Sequence, residues 1–353
     1  MNMAVLLKLL RVAPVLVALF AVGSVQAEYQ VPRSDDPGAQ AQQKREDTQP
    51  GNNAPVWRDV RKEGEEHFTT VKGREAGVLI QSAGETWRQI RNGPVTFYGG
   101  WLVVLTALAV LGFYFWKGPV KLHARPTGRL IHRFSTVEKV VHWSVAISFC
   151  VLGLSGLIML FGKHVVLPLI GYTLFAWLAA LGKNLHNFVA PFFIVAVIAM
   201  IALFIRDNLP RIYDLRWFAK AWGVMARGEH VPTGRFNAGE KGWFWFGVVG
   251  LSIMVTWSGL VLLFPDFDQT RAVMQDAWTW HASAALLYIA ISLGHIYLGT
   301  IGLEGSYQAM RTGYVDEAWA KEHHEYWYND VRSGKRTAPG GAVPAGAPRT
   351  RES

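Results

Sequence analysis

The chain has one cysteine, Cys150, and it sits inside an apolar block. That count excludes an internal disulfide and the Cys-x-x-Cys-His attachment of a c-type haem. It equally excludes a four-cysteine iron–sulfur cluster held by this chain alone. Carboxylates are also scarce where they would matter most. The last four apolar blocks carry almost none in their interiors, with Glu138 and Glu304 at the edges. A proton pump usually buries such acids, and a catalytic zinc site usually adds a third ligand to a histidine pair. No repeated pair of broken helices marks a transporter.

What is present is apolar. Of 353 residues, 51% are hydrophobic and fifteen are Trp. The apolar residues gather in blocks of about twenty, the length that spans a ~30 Å hydrocarbon core as a helix. The net charge of +9 is compatible with nucleic acid or lipid headgroups. The cations lie beside the apolar blocks, which favours a membrane explanation and no nucleic acid.

Residues 1–27 read as a secretory signal: Lys8 and Arg11, an apolar run from Val12 to Val22, and small residues ending at Ala27. An uncleaved anchor is the alternative, though the run is short for a span. Residues 28–96 form a polar extension, its first half expected to be disordered; Trp57, Phe68, Val78 and Trp87 allow short helices later in it. Spans are expected at 97–116, 138–161, 187–205, 243–264 and 278–301, followed by a tail at 306–353. Val165–Leu181 is apolar too, but Pro168 and Gly171 interrupt it, and it reads as a short interfacial segment leading into the third span.

Charge supports five spans. The loop after the first carries Lys117, Lys121, Arg125, Arg129, Arg133 and Lys139; the loop after the third runs from Arg206 to Lys241 and is as basic. The opposite loops hold only Lys163, Lys183 and Arg271. By the positive-inside rule the basic loops and the C-terminus are cytoplasmic and the mature N-terminus is periplasmic, in a bacterial-type inner membrane; a sixth span would break the pattern.

Seven of the eleven histidines, His67, His123, His132, His164, His230, His323 and His324, fall in loops or tails and read as solvated. His142, His186, His281 and His295 fall in or at the ends of spans, where ionisable groups are costly and suggest function. His281 and His295 are fourteen positions apart, which gives ~21 Å of rise and a mutual rotation of ~40° on one helix face. Chain direction pairs His142 with His295 at the inner side and His186 with His281 at the outer side. Two axial imidazoles from separate helices suit a six-coordinate b-type haem, so two haem b groups are expected. Gly153, Ser155, Gly156, Gly294 and Gly299 admit a flat macrocycle, or serve ordinary helix packing.

The segment VEKVVHWSVAISFCVLGLSGL, the Leu-His at 185–186, FNAGEKGWFW at 236–245, the pair His281 and His295, and AWAKEHHEYWY at 318–328 together resemble the gamma (cytochrome b) subunit of membrane-bound respiratory formate dehydrogenases. The likeness covers about 130–330. It implies an all-α membrane protein with a four-helix di-haem core at 130–305, here with one extra N-terminal helix. It also implies an iron–sulfur beta subunit and a molybdenum- or tungsten-containing alpha subunit as partners. Electrons would enter at the outer haem and leave from the inner one to menaquinone or ubiquinone. Asn237 and Gly239 match the family's quinone-side loop, while a helix-start turn accounts equally for Asn237. Residues 1–120 exceed the compact family members and are expected to dock partners. The rival readings are a b-type anchor of a nickel–iron hydrogenase or of a thiosulfate or polysulfide reductase, and a haem-free membrane anchor.

Overall fold

The computed structural model describes residues 83–224, 229–265, 267 and 269–336. The signal expected at 1–27, the polar extension up to residue 82 and the tail beyond 336 lie outside the described residues. In chain order the elements are α1 (Gly84–Lys117), β1 (Leu130–His132), α2 (Thr136–Val165), α3 (Leu167–Phe204), α4 (Ile212–Ala219), α5 (Ala238–Leu263), α6 (Arg271–Gly302), α7 (Ser306–Thr312), β2 (Tyr314–Asp316), α8 (Glu317–His323) and α9 (Glu325–Arg332). Among the described residues five helices, α1, α2, α3, α5 and α6, are long and apolar enough to cross a membrane.

Capping starts the helices where the sequence turns apolar. Ser135 Oγ accepts from Glu138 N at 3.3 Å while Glu138 Oε2 accepts from Ser135 N at 2.8 Å, a reciprocal box that begins α2. The first helix starts at Gly84, well before the span expected from 97. Its turn at Arg91–Tyr98 widens to π geometry around Pro94, whose missing N–H leaves the ordinary ladder incomplete.

The stretch 165–181 leads into the third span as expected, but without a loop between them: the helix begins at Leu167 rather than near 187. Pro168 sits in the first turn of α3, where no intrahelical N–H is required. Gly171 then breaks the backbone at φ 75° and ψ 173°, a region essentially reserved for glycine. Beyond it the helix continues through His186 to Phe204. That run is ~50 Å long, more than a bilayer core requires.

Helix α2 packs along α3, α5 along α6, and α1 along the far flank of α6. A Cβ at Gly99 would collide with Leu286, so glycine lets α1 approach α6 closely. Arg91 lies between the rings of Trp87 and Trp278, 5.5 and 5.2 Å from their centroids.

At one end of the bundle the connecting segments fold into a cap. Strands β1 and β2 pair antiparallel, Ile131 opposite Val315. Gly313, at φ 92°, accepts from Arg133 N and Phe134 N through its carbonyl at 2.7 and 3.1 Å. Trp319 and Trp327 are buried beneath α8 and α9. Buried charges in this cap are paired. Arg235 Nη1 donates to Asp207 at 2.7 Å and its Nη2 to Glu138 at 2.9 Å. Arg133, 3% exposed, reaches Glu240 at 3.3 Å, and Lys241 reaches Asp214 at 2.8 Å. Buried guanidinium groups need such partners.

The solvated reading of His323 and His324 is overturned here. His324 is 1% exposed and its Nδ1 donates to the Gly234 carbonyl at 2.9 Å. His323 is half-buried against Trp319, its ring centroid 5.0 Å away. Both helices of the tail fold back on the loop before α5, which brings the two rings inside. Burial pushes His323 down to about 4 and His324 well below its usual range. His123 and His230 stay exposed and pair with Glu322 and Glu325, His164 is exposed, and His132 stacks on Tyr314; His67 lies outside the described residues.

Candidate functional site

The four span histidines meet in two pairs, each bridging the α2/α3 hairpin to α6. On the side away from the cap, His186 of α3 and His281 of α6 have ring centroids 6.0 Å apart. On the cap side, His142 of α2 and His295 of α6 are 6.4 Å apart. With a metal–imidazole bond of about 2 Å and ring centres about 1 Å behind each nitrogen, two trans imidazoles on one metal put their centroids about 6 Å apart. Both pairs meet that distance. Among the described residues no group of three or more His, Cys, Asp or Glu is arranged to hold a metal.

Two serines define the state of the far pair. Ser155 Oγ donates to the Val151 carbonyl at 2.7 Å, leaving its oxygen to accept from His186 Nδ1 at 3.0 Å. Ser258 Oγ donates to the Met254 carbonyl at 2.6 Å and accepts from His281 Nδ1 at 3.3 Å. The Val255 carbonyl also accepts from that Nδ1 at 3.0 Å. Each Nδ1 therefore carries the proton, and each Nε2 offers a lone pair to a metal. The next residue is glycine in both places. A Cβ at Gly156 would stand 3.5 Å from His186 Cε1, and one at Gly259 3.1 Å from His281 Cε1. A Ser-Gly-Leu triplet thus faces each far imidazole, from α2 at 155–157 and from α5 at 258–260. The sequence carries this repeat plainly, yet reading histidines alone passes over Ser258 and Gly259.

The cap-side pair is built differently. His142 Nδ1 is buried with no hydrogen-bond partner among the described residues, a cost of about 1–3 kcal/mol if nothing compensates it. His295 lies parallel to Trp243, 4.9 Å between centroids and 15° between planes. A Cβ at Gly294 or Gly299 would meet nothing within 4 Å, so these glycines leave space rather than fill a helix contact.

Between the layers lies an aromatic floor. Phe149 and Tyr288 stand 4.7 Å apart, Trp243 is 5.7 Å from Tyr288, and the Tyr288 hydroxyl is 3.1 Å from Ser252 Oγ. Tyr288 falls midway between His281 and His295 along α6.

Asn237 caps α5. Its Oδ1 accepts from Glu240 N at 2.9 Å, and Glu240 Oε2 accepts from Asn237 N at 2.8 Å. A Cβ at Gly239 would stand 2.7 Å from Trp217, so packing alone already calls for glycine there. Both residues lie at the cap-side start of α5, a few positions before the Trp243 that covers His295.

An all-helical membrane bundle with paired imidazoles from separate spans defines a membrane cytochrome b. Residues 133–313 match the model of the prokaryotic cytochrome b561 family. The chain is 30% identical over 210 residues to the formate dehydrogenase cytochrome b556(fdo) subunit of Escherichia coli K12, covering 57% of this chain and 93% of that one. It is 28% identical over 213 residues to the nitrate-inducible formate dehydrogenase cytochrome b556(Fdn) subunit of the same strain, with 58% and 92% covered. A formate dehydrogenase cytochrome b556 subunit of Haemophilus influenzae is 26% identical over 211 residues, with 57% and 83% covered. The chain belongs to the prokaryotic cytochrome b561 family, among the cytochrome b (gamma) subunits of formate dehydrogenase.

Proposed function

We propose that this chain carries electrons across the membrane from an iron–sulfur partner to a quinone, through two b haems held by His186/His281 and by His142/His295. The observation that carries the reading is the pair of centroid separations, 6.0 and 6.4 Å, each the span of two imidazoles on one iron. When bound, haem iron supplies reversible one-electron carriage. The residues do the rest. Ser155 and Ser258 hold the far imidazoles as Nδ1–H tautomers, and the Phe149–Tyr288 layer keeps the space between the pairs apolar.

The basic loops and the folded tail lie at the cap end, and the positive-inside rule supports a cytoplasmic cap. The quinone then meets the cap-side pair, near Asn237, Gly239 and His295. Asn237 Oδ1 is committed to its helix cap, so its Nδ2 is the group left to donate to a quinone carbonyl. Reduction of the quinone takes two electrons and two protons, the protons from the cap side. Formate oxidation belongs to a separate molybdenum- or tungsten-containing subunit on the far side, reached through the iron–sulfur subunit. The extension at 28–96 and α1 serve assembly with those partners. Deletion of 28–82 is expected to weaken co-purification of the partner subunits; undiminished assembly would count against that role.

A pyridine haemochrome assay on the purified chain tests the central claim. About two haems per chain are expected, and a colourless protein would leave only a scaffold. H186A and H142A, each made alone, are each expected to lower the count to one.

A further inference from the structure

The cap end carries a second feature that neither the histidine pairs nor the quinone reading uses. A cavity of about 440 Å³ opens where α3 ends, lined by Arg206, Arg211, Arg216, Arg235, Arg336 and Tyr213 among others. Five arginines face two aspartates, Asp207 and Asp330. Asp207 is already taken: Arg235 and Arg336 both donate to it at 2.7 Å. Arg206, Arg211 and Arg216 make no ion pair among the described residues, and all three are exposed.

One wall of this cavity is α4, which also carries an exposed apolar flank. Ile212, Leu215, Phe218 and Trp222 are 85%, 69%, 55% and 63% exposed, and their spacing places them on one flank of α4 and its continuation. The opposite flank, Tyr213 and Trp217, is half-buried, with Trp217 packed against Gly239 of α5, and Asp214 at the edge of the apolar flank is buried against Lys241 of α5. A short helix with one flank held by the bundle and the other apolar and exposed, at the end of a membrane span, lies in the interfacial layer. Arginine forks at that depth match phosphate oxygens in geometry and charge, and basic pockets between spans at the membrane surface are suited to anionic headgroups.

We propose that this cavity binds a phosphate group, supplied by an anionic phospholipid of the leaflet at the cap end, with Arg206, Arg211 and Arg216 as its ligands and the apolar flank of α4 beside the acyl chains. The inference does not depend on haem or quinone. It requires only that the bundle crosses a membrane.

The test uses the full chain, stripped of lipid in mild detergent and returned to nanodiscs of phosphatidylcholine alone or with phosphatidylglycerol, followed by thermal unfolding. Phosphatidylglycerol is expected to raise the Tm by about 5 °C, as a ligand well above its Kd does. That rise should disappear in R206Q/R211Q/R216Q and persist in K121Q/R125Q/K335Q, which removes equal charge elsewhere on the cap. Equal loss in both variants would reduce the effect to general surface attraction and overturn the site. A third arm adds inorganic phosphate to phosphatidylcholine discs; a full rise there, with none from phosphatidylglycerol, would overturn the lipid source. If the triple variant does not fold, R216Q alone carries the test, read as loss of co-purified phosphatidylglycerol by native mass spectrometry. Unchanged retention in R216Q would sink the proposal.

Discussion

The two histidine layers share a ligand type and almost a ring separation, yet their surroundings differ at each contact. The far layer is hydrogen-bonded: serine oxygens from α2 and α5 accept from both Nδ1 atoms. The cap layer is aromatic: His142 Nδ1 has no partner among the described residues and His295 lies flat against Trp243. An accepting oxygen behind an imidazole makes it a stronger donor to a metal, and stronger donation favours the oxidised metal. Iron held by the far pair would therefore be biased toward giving electrons up, and iron held by the cap pair toward keeping them. That difference would run in the direction of the far-to-cap electron flow proposed above. Moving one charge against 100 mV costs about 2.3 kcal/mol, so an asymmetry of even one hydrogen bond per ligand is a useful part of the drive.

The largest effect is expected from removing one layer outright. H295A should lower the haem count from two to one and abolish quinone reduction. Formate oxidation with an artificial acceptor should continue in the assembled complex, because the far layer and the partner subunits are untouched. Joint loss of both activities would show that the layers are not separable, and the comparison would fail.

Acid provides a second test, through the cap that supports one layer and not the other. Burial holds His323 down to about 4 against an ordinary value near 6.5. Its folded-state value is the lower one, so its contribution is full above about 6.5 and is lost as pH falls toward 4. A shift of that size corresponds to up to about 3 kcal/mol. Asp207 and Glu317 act in the same direction at lower pH. Burial opposes the Asp207 shift, but Arg336 and Arg235 prevail and hold it below the usual carboxylate range; Tyr328 and Arg129 do so for Glu317. Hydrogen exchange is expected to rise in residues 304–332 between pH 6.5 and 4.5, with α2 and α3 around His186 unchanged. H323Q should flatten the pH dependence of the cap; an unaltered profile would remove His323 from the account.

Much of the bundle was legible because lipid imposes a simple rule: each span must be apolar for about twenty residues. The pairing of histidines followed from chain direction and helical rise, and the structure brings those residues together. What sequence reading missed has a physical pattern. Ser155 was noted only for its size and Ser258 not at all, because a serine that bonds its own helix backbone looks like any other serine until the neighbouring helix is known. Arg133, Arg235, His323 and His324 were counted as loop charge or solvated groups. A tail that folds back 90 residues downstream leaves no periodic signal for the burial of His323 and His324, and Arg235 looks like a headgroup cation although it pairs with Glu138 and Asp207, 97 and 28 residues upstream. The early start of the third helix is hard to read because Pro168 and Gly171 look like breakers, although one occupies a first turn and the other breaks only a single residue.

The smallest expected effect sharpens the comparison most. S155A and S258A each remove an oxygen that accepts from an imidazole Nδ1, without changing helix shape or ligand. Loss of one net hydrogen bond is worth about 0.5–1.5 kcal/mol, which corresponds to roughly 20–65 mV for one electron at 2.3 kcal/mol per 100 mV. The far-side midpoint potential should rise by that amount in a redox titration, while the cap-side potential stays fixed. S155A and S258A should have comparable effects, because a backbone carbonyl stays beside each imidazole: Val255 accepts from His281 Nδ1 at 3.0 Å and Leu152 accepts from His186. A rise in the cap-side potential, or equal shifts in both layers, would mean that the serines act through general packing rather than through the imidazoles they face.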